Sequence, residues 1–417
     1  MYNIVVLNGD SMNSDLAMSR YYQTEEIYRS FLTLGHNATF VDFSSSFGIK
    51  DLNEALKKPI DFVWTMAEMS PASLTFPDGE GVTNKLKIPT ISYLMEEPCY
   101  RSYVFEKPLY HHIIVGDNKK YYAIYPYMPV LSRSKPKMIS YLPRGGATLG
   151  QPLTEEQFDK KNKRILFLGS HIVAPKEKMW AKRPKFIRDF TEDVYCQYSY
   201  SSSISEAFAE VIKHRDVIID DELSQNILSI AGRDLVIYIV GHLRSKYLKF
   251  LIENGYELDI YGIYWPDEYN EYKNVTLTHG VVQYGEALEL FRKYKLTICP
   301  YSNSSDRLLN ALANGCQVLA HSMVFIDEEL SDFKGIYQIK NEETFCEKAA
   351  EGIRTALEDT SFSDIKRTYD HVVENHMWIN RAQSFIDIFE ASKTKFDILE
   401  YAGEKRDAIY GLNGKSL

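Results

Sequence analysis

"ICPYSNSSDRLLNALANGCQVLAH", from Ile298 to His321, decides how the chain reads. Two short apolar runs flank a Ser/Asn loop and a helix of Leu and Ala, which is the strand-helix-strand pattern of a parallel sheet. The helix opens with Asp306-Arg307. A cation in the first turn stands on the wrong side of the helix macrodipole and costs up to ~1 kcal/mol. A bound phosphate between them would remove the anomaly. The first turn offers unpaired N–H groups, and a guanidinium adds donors in a fork that matches phosphate oxygens. The alternatives for Arg307 are pairing with Asp306 or exposure to solvent. Asn310 stands at i+3 from Arg307, whereas Leu308, Leu309, Ala311 and Leu312 read as core. An amide one turn below a phosphate is in reach of a ribose hydroxyl; an ordinary polar surface position is the alternative.

The same alternation extends through the chain. Strands are predicted at Asn3 to Leu7, Ala38 to Phe43, Asp61 to Thr65, Pro89 to Leu94, His111 to Gly116, Met138 to Leu142 and Arg164 to Gly169, with helical segments between them. A more polar helical stretch, Met179 to Gly232, ends in a glycine that reads as a helix stop. A second series then runs through Leu235 to Gly241, Glu257 to Gly262, Val275 to Gly280, Leu296 to Pro300, Gln317 to His321 and Gly335 to Ile339. The expected class is α/β, with two Rossmann-like doubly wound domains. The domains are 1–232 (including helical 179–232), 233–378, and a helical tail 379–417. The strand at Arg164 to Gly169 could instead open the second domain, but the six strands after Gly232 already complete a sheet.

A chain of 417 residues fits about two domains. With 45% hydrophobic and 25% charged residues it is globular in type, and its net charge of −9 argues against a general nucleic-acid coat. Five cysteines without a C-x-x-C pair suggest neither a disulfide framework nor a zinc site. No apolar run approaches ~18 residues and the N-terminus lacks a basic region, so the expected location is cytoplasmic.

Three strands of the second series end in glycine, at Gly241, Gly262 and Gly280. Ligands of open α/β sheets bind beyond the carboxyl ends of strands, where glycine lets backbone approach them, although tight turns alone also use it. Arg244 and Lys246, just after the expected strand at Leu235, could share a diphosphate with Arg307 or sit on a solvated helix face.

These pieces in this order resemble a known family. "IVGHLRSKYLKFLIENGYELDIYGIYW", "NVTLTHGVVQYGEALELFRKYKLTICPYSNSSDRLLNALANGCQVLA" and "HMWINRAQSFIDIF" are similar to the nucleotide-binding half of GT-B glycosyltransferases, in the spore-maturation (CgeB-like) branch of the group 1 enzymes. "YLMEEP", "VGDNKKYY", "YLPRGGA" and "FLGS" resemble the first half of that branch. The resemblance implies two domains facing a cleft, with a C-terminal helix returning to the first. It also implies a nucleotide-diphosphate sugar donor, a UDP-sugar first among them, and a glycan or protein acceptor. By it, Arg307 would hold the diphosphate, with Ser305 and Asp306 also in the donor site, the backbone at His279 and Gly280 would read the base, and Tyr261 to Trp265 (with Gly262) would line the pocket. Asn310 departs from the family's carboxylate, and a neutral amide gives up the charge-assisted part of a ribose bond.

A site of this kind works by positioning and electrostatic stabilisation of the leaving diphosphate, which Arg307 could supply without a metal. An inverting reaction also needs a base. Asp10, Glu96 and Glu97 follow strands of the first series and are the candidates, capping or surface roles being the alternatives. The basic segment Lys160 to Arg188, with Trp180 and Phe186 interleaved, could face DNA or a membrane surface, or simply be a solvated face. "YYAIYPYMP" (Tyr121 to Pro129) could stack on sugars or pack. Rival readings are a phage-type DNA glycosyltransferase acting on a modified base, a non-catalytic partner subunit of the same fold, and an epimerase. The oligomeric state is not legible.

Overall fold

Runs of β-branched and aromatic residues become twelve described strands in two six-stranded parallel sheets. The first sheet holds β1 (Asn3–Asn8), β2 (Asn37–Asp42), β3 (Phe62–Met66), β4 (Thr90–Leu94), β5 (His112–Gly116) and β6 (Met138–Tyr141), in the order β2-β1-β3-β4-β5-β6. The second holds β7 (Asn162–Leu168), β8 (Leu258–Gly262), β9 (Val275–His279), β10 (Tyr294–Cys299), β11 (Gln317–His321) and β12 (Ile336–Ile339), in the order β12-β11-β10-β7-β8-β9. The computed structural model describes residues 1–9, 18–66, 81–100, 102–105, 108–127, 134–171, 177–198, 203–215, 227–300 and 306–393. No helix among them is long and apolar enough to cross a membrane.

Strand sequence and sheet position agree. The interior strands β3, β4, β5 and β11 are buried at every residue, as continuous apolar runs covered on both faces should be. The edge strands β2, β6, β9 and β12 are only partly covered.

Two expectations are corrected here. The second sheet begins at Asn162 rather than after Gly232, because β7 pairs with both β8 and β10. The strand expected at Leu235 to Gly241 is instead the start of the helix Arg233–Glu253. Leu235, Ile239, Leu243, Tyr247 and Leu251 recur every four residues along it and are all buried. Its first half packs into a cluster with Leu94, Cys99, Phe190 and Phe208, and its second half against Ile165, Phe167 and Ile260 of the second sheet. Apolar neighbours on several sides make its opening apolar nearly throughout, and a seven-residue apolar window does not separate a buried helix from a strand. Gly232 stops no helix: it has helical dihedrals (φ −60°, ψ −44°), and a Cβ there would lie 2.8 Å from Cys99. The helices Lys185–Gln197 and Ile204–Arg215 are therefore inserted between β7 and its crossover helix.

The chain returns to the first domain at its end. The helical run 378–393 lays Trp378, Phe385 and Phe389 into one cluster with Ile4, Trp64 and Tyr93 of the first sheet. Where the chain leaves β6 it passes between this return and the helix Asp306–Leu312. Gly146 N donates to His376 O at 2.8 Å, and Trp378 N donates to Gly146 O at 3.2 Å. There is no space for side chains at the crossing. A Cβ on Gly145 would lie 2.6 Å from the Trp378 ring, and one on Gly146 would lie 3.0 Å from Leu309 Cβ.

The Lys160 to Arg188 segment is largely absorbed by the fold. Arg164 pairs with Asp259, Lys178 with Glu192, Arg183 with Asp234, and both Lys185 and Arg188 with Asp189. Lys161 is buried, its ammonium 2.6–3.3 Å from the carbonyl oxygens of Phe291, Arg292, Tyr294 and Asn314, and burial lowers its pKa to about 8. Trp180 is core, its indole N–H donating to Glu192 at 2.8 Å. Tyr121 and Tyr125 are likewise buried, Tyr125 in a cluster with Ile124, Phe105 and Phe208; Met128 and Pro129 lie outside the described residues.

Gly145→Ala is expected to lower unfolding free energy by about 1–3 kcal/mol through overpacking against Trp378, read as a lower urea midpoint. Gly285→Ala is the control. Nothing lies within 4 Å of its added methyl, and removing a helical glycine should be neutral or stabilising by up to about 1 kcal/mol.

Candidate functional site

The second sheet has the strand order of a doubly wound nucleotide-binding domain, with its reversal between β7 and β10. Three strands on one side of that point end in glycine with positive φ: Gly169 after β7 (+154°), Gly262 in β8 (+156°) and Gly280 after β9 (+135°). Their backbones are chained together. Gly169 N donates to Tyr261 O at 2.9 Å, and Gly280 N donates to Gly262 O at 3.0 Å. A Cβ at Gly262 would lie 2.2 Å from the Gly169 carbonyl oxygen, so only glycine fits. The expected trio is thus corrected. Gly241 is buried inside the helix Arg233–Glu253, and Gly169 takes its place.

Two guanidinium groups converge on the Gly169-Ser170 backbone. Arg244 reaches it from its helix, Nη1 donating to Ser170 O at 2.7 Å. Arg307 comes from the helix Asp306–Leu312, its two Nη atoms 3.7 and 3.8 Å from where a Cβ on Gly169 would stand. The pocket at these strand ends is lined by both arginines, by Tyr261, Gly262 and Gly280, and by Asp306 and Asn310. Val281, Val282, Tyr284 and Phe291 add apolar lining. The pocket therefore combines two guanidinium groups and bare backbone with apolar lining.

Other expected residues fall elsewhere. Lys246 pairs with Glu342 at 2.8 Å and lies over the Phe345 ring in a separate groove. Two residues along a helix rotate it by about 200° from Arg244, which a strand reading could not show. Trp265 does not line the pocket but supports it, donating its indole N–H to Gly169 O at 2.8 Å. The His279 side chain is outside, Nε2 3.2 Å from Asp267, while the adjacent Gly280 lines the pocket. Ser305 lies outside the described residues. Sequence reasoning missed Ser170 and Tyr284. Gly169-Ser170 was visible in "FLGS" but was assigned to the wrong sheet.

Asn310 has a structural duty. It is buried, and its Oδ1 accepts from Ala147 N at 2.7 Å. Asn314, one turn on, accepts from Leu149 N at 3.2 Å and donates to Ala147 O at 3.0 Å. The two amides hold the segment after β6 along the helix Asp306–Leu312, so the Asn310 carbonyl that faced a ribose in the sequence reading is engaged by the chain itself.

The carboxylate candidates separate similarly. Asp10 lies outside the described residues. Glu97 is buried and caps the helix Ile204–Arg215, accepting from Ile204 N at 3.0 Å, Ser205 N at 3.1 Å and Ser205 Oγ at 2.6 Å. Glu96 follows β4 at the carboxyl edge of the first sheet and is half-buried. It faces a buried pair that the sequence reading did not single out: Asp117, which accepts from Arg144 Nε at 2.6 Å. Burial raises the Asp117 pKa to about 6, with Arg144 opposing the rise and the Glu96 charge adding to it. Among the described residues no group of three or more His, Cys, Asp or Glu side chains is placed to hold a metal ion.

Burial also raises the Glu97 pKa, to about 7, against the three hydrogen bonds that favour its anion. The folded state then holds this proton more tightly than the unfolded chain does. Its contribution is present at low pH and is lost as pH rises through about 7. The stability difference between wild type and Glu97→Gln, measured as ΔTm from pH 4.5 to 8, should accordingly move in favour of the variant as pH rises. A flat difference would mean that Glu97 is ionised throughout.

Comparison with known proteins agrees with this geometry. Residues 244–387 match the family model described as "Glycosyl transferase-like". No curated protein matches the chain. Among solved structures, sucrose-phosphate synthase from Thermosynechococcus elongatus is similar with a TM-score of 0.52 and 10% identity, over 94% of this chain and 99% of that one. AviGT4, a glycosyltransferase involved in avilamycin A biosynthesis, gives 0.46 at 11% identity, over 94% and 97%. Anabaena HepE, solved with UDP and glucose, gives 0.45 at 8%, over 94% and 100%. At such identities the likeness speaks for the fold alone, and only the first of the three is close enough to carry it. The chain therefore has the fold of the GT-B glycosyltransferases, and its residues 244–387 match the glycosyl transferase-like family.

Proposed function

We propose that the chain moves a sugar from a nucleotide-diphosphate donor to a glycan or protein acceptor, without the help of a metal ion. The observation that carries this reading is the convergence of Arg244 and Arg307 on the Gly169-Ser170 backbone, in a pocket that also has apolar lining. A nucleotide-diphosphate sugar has the same polarity, with a dianionic bridge and a flat base. The diphosphate would lie against the guanidinium groups, where backbone without side chains lets it approach closely, and the base against Val281, Val282 and Tyr284.

On this reading an acceptor hydroxyl attacks the anomeric carbon, and the bond from that carbon to the phosphate oxygen breaks. The nucleoside diphosphate leaves with the electron pair. Arg307 and Arg244 stabilise the charge that builds on it, the work a metal does in other sites. The acceptor's proton passes to a carboxylate of the first domain. Glu96, at the carboxyl end of β4, is the described group in that position, and Asp10 is the second candidate.

The test is a titration of the full chain with UDP-, GDP-, CMP-, ADP- and dTDP-sugars by calorimetry and thermal shift, with EDTA present. One nucleotide should bind and raise Tm; at ~100 times Kd the stabilisation is ~2.7 kcal/mol. Arg307→Ala and Arg244→Ala should each weaken binding by one to two orders of magnitude, about 1.5–3 kcal/mol for a hydrogen bond to a charged group. Absence of binding by every donor would overturn the reading, and binding that requires Mg²⁺ would overturn the metal-free part of it.

A further inference from the structure

Among the described residues lining the pocket, Asp306 is the one carboxylate. A fixed negative charge beside a diphosphate opposes its binding, so its partners decide whether the site works. Both are supplied by the other domain. Gln23 Nε2, from the helix Met18–Thr33, donates to Asp306 Oδ2 at 2.7 Å, and Arg144 Nη1, from the segment after β6, donates to Oδ1 at 3.3 Å. Arg144 is itself fixed, with Nε on Asp117 at 2.6 Å and Nη2 on the Met95 carbonyl. Gln23 is 1% exposed and its Oε1 is buried without a hydrogen bond, so the amide is oriented by Asp306. The neighbouring Tyr22 stacks on Tyr284, a second residue of the pocket wall, with ring centroids 5.4 Å apart and planes at 13°.

We propose that Gln23 and Arg144 are positioning residues for the donor. They hold the Asp306 carboxylate toward the first domain and offset its charge, which makes binding of an anionic donor conditional on the two domains being seated together. The inference rests on the nucleotide-diphosphate reading of the pocket. Its consequence is that an undocked first domain leaves Asp306 without these two donors, its charge held less firmly away from the bound diphosphate. Donor affinity and domain closure become one equilibrium, with Asp306 as the shared element.

The test is a double-mutant cycle on the full chain, with UDP and inorganic pyrophosphate as the probes titrated by calorimetry. Gln23→Leu should weaken both probes by about tenfold, the scale of one hydrogen bond to a charged group. In the Asp306→Asn background the same Gln23→Leu change should alter Kd by less than about twofold, because no carboxylate is left to hold. Arg144→Lys, which keeps the charge but not the fork, is the second arm and should behave in the same way. Equal losses with and without Asp306 would overturn the proposal, since packing alone would then explain them. A wild type that binds UDP or pyrophosphate with Gln23→Leu and Arg144→Lys both silent overturns this inference alone. A wild type that binds neither probe overturns the reading of the pocket as well.

Discussion

The segment Arg144-Gly145-Gly146-Ala147 is the constraint on which the arrangement of the molecule depends. The two sheets must be joined by a chain that leaves β6, and here that chain is threaded between the helix Asp306–Leu312 and the beginning of the C-terminal return. Glycine at 145 and 146 is required because Trp378 and Leu309 occupy the space a side chain would need. The backbone is then tied on several sides. Asn310 and Asn314 hold Ala147 and Leu149, His376 and Trp378 hold Gly146, and Arg381 donates to the Arg144 carbonyl at 3.0 Å. With its main chain so fixed, the Arg144 side chain has one place to go, between Asp117 of the first domain and Asp306 of the second.

This crossing explains features that look unrelated one by one. Asn310 departs from a carboxylate at a pocket position, and its oxygen is engaged by a backbone N–H. His376 is held neutral, its pKa lowered to about 3 by burial and by the Arg381 charge, and its Nδ1 lies 2.8 Å from Arg381 Nη2. The His-x-Trp-x-x-Arg signature near the C-terminus is thus a device for holding the linker.

Much of the architecture was legible in the sequence because its cause is local. Strands buried on both faces must be apolar throughout, and those runs stood out wherever turn residues bounded them. The pocket was legible where the reason for a residue is also local: an arginine placed against the helix dipole, and glycines at strand ends. Errors arose where tertiary burial overrides local pattern. Leu235 to Gly241 lies among apolar neighbours on several sides, and its four-residue spacing emerges only when the window reaches Leu251. That one misreading displaced the domain boundary, put Gly241 and Lys246 in the site, and hid Gly169. The charge of Lys160 to Arg188 suggested a partner surface. The structure pairs much of it with carboxylates far along the chain, as in Arg164 with Asp259 and Arg183 with Asp234.

What the sequence determined by itself is the class of the fold, two parallel α/β sheets, and the anion-seeking end of one pocket, because periodicity, turn chemistry and the helix dipole act within a few residues. Only the tertiary structure decided which strand opens the second sheet, which glycines meet at the pocket and which charges are already paired within the chain. Each of those depends on contacts between residues tens to hundreds of positions apart, such as Gln23 with Asp306 and Arg144 with Asp117. No local pattern records them, since the energy that selects them is released only when the distant segments are folded and in contact.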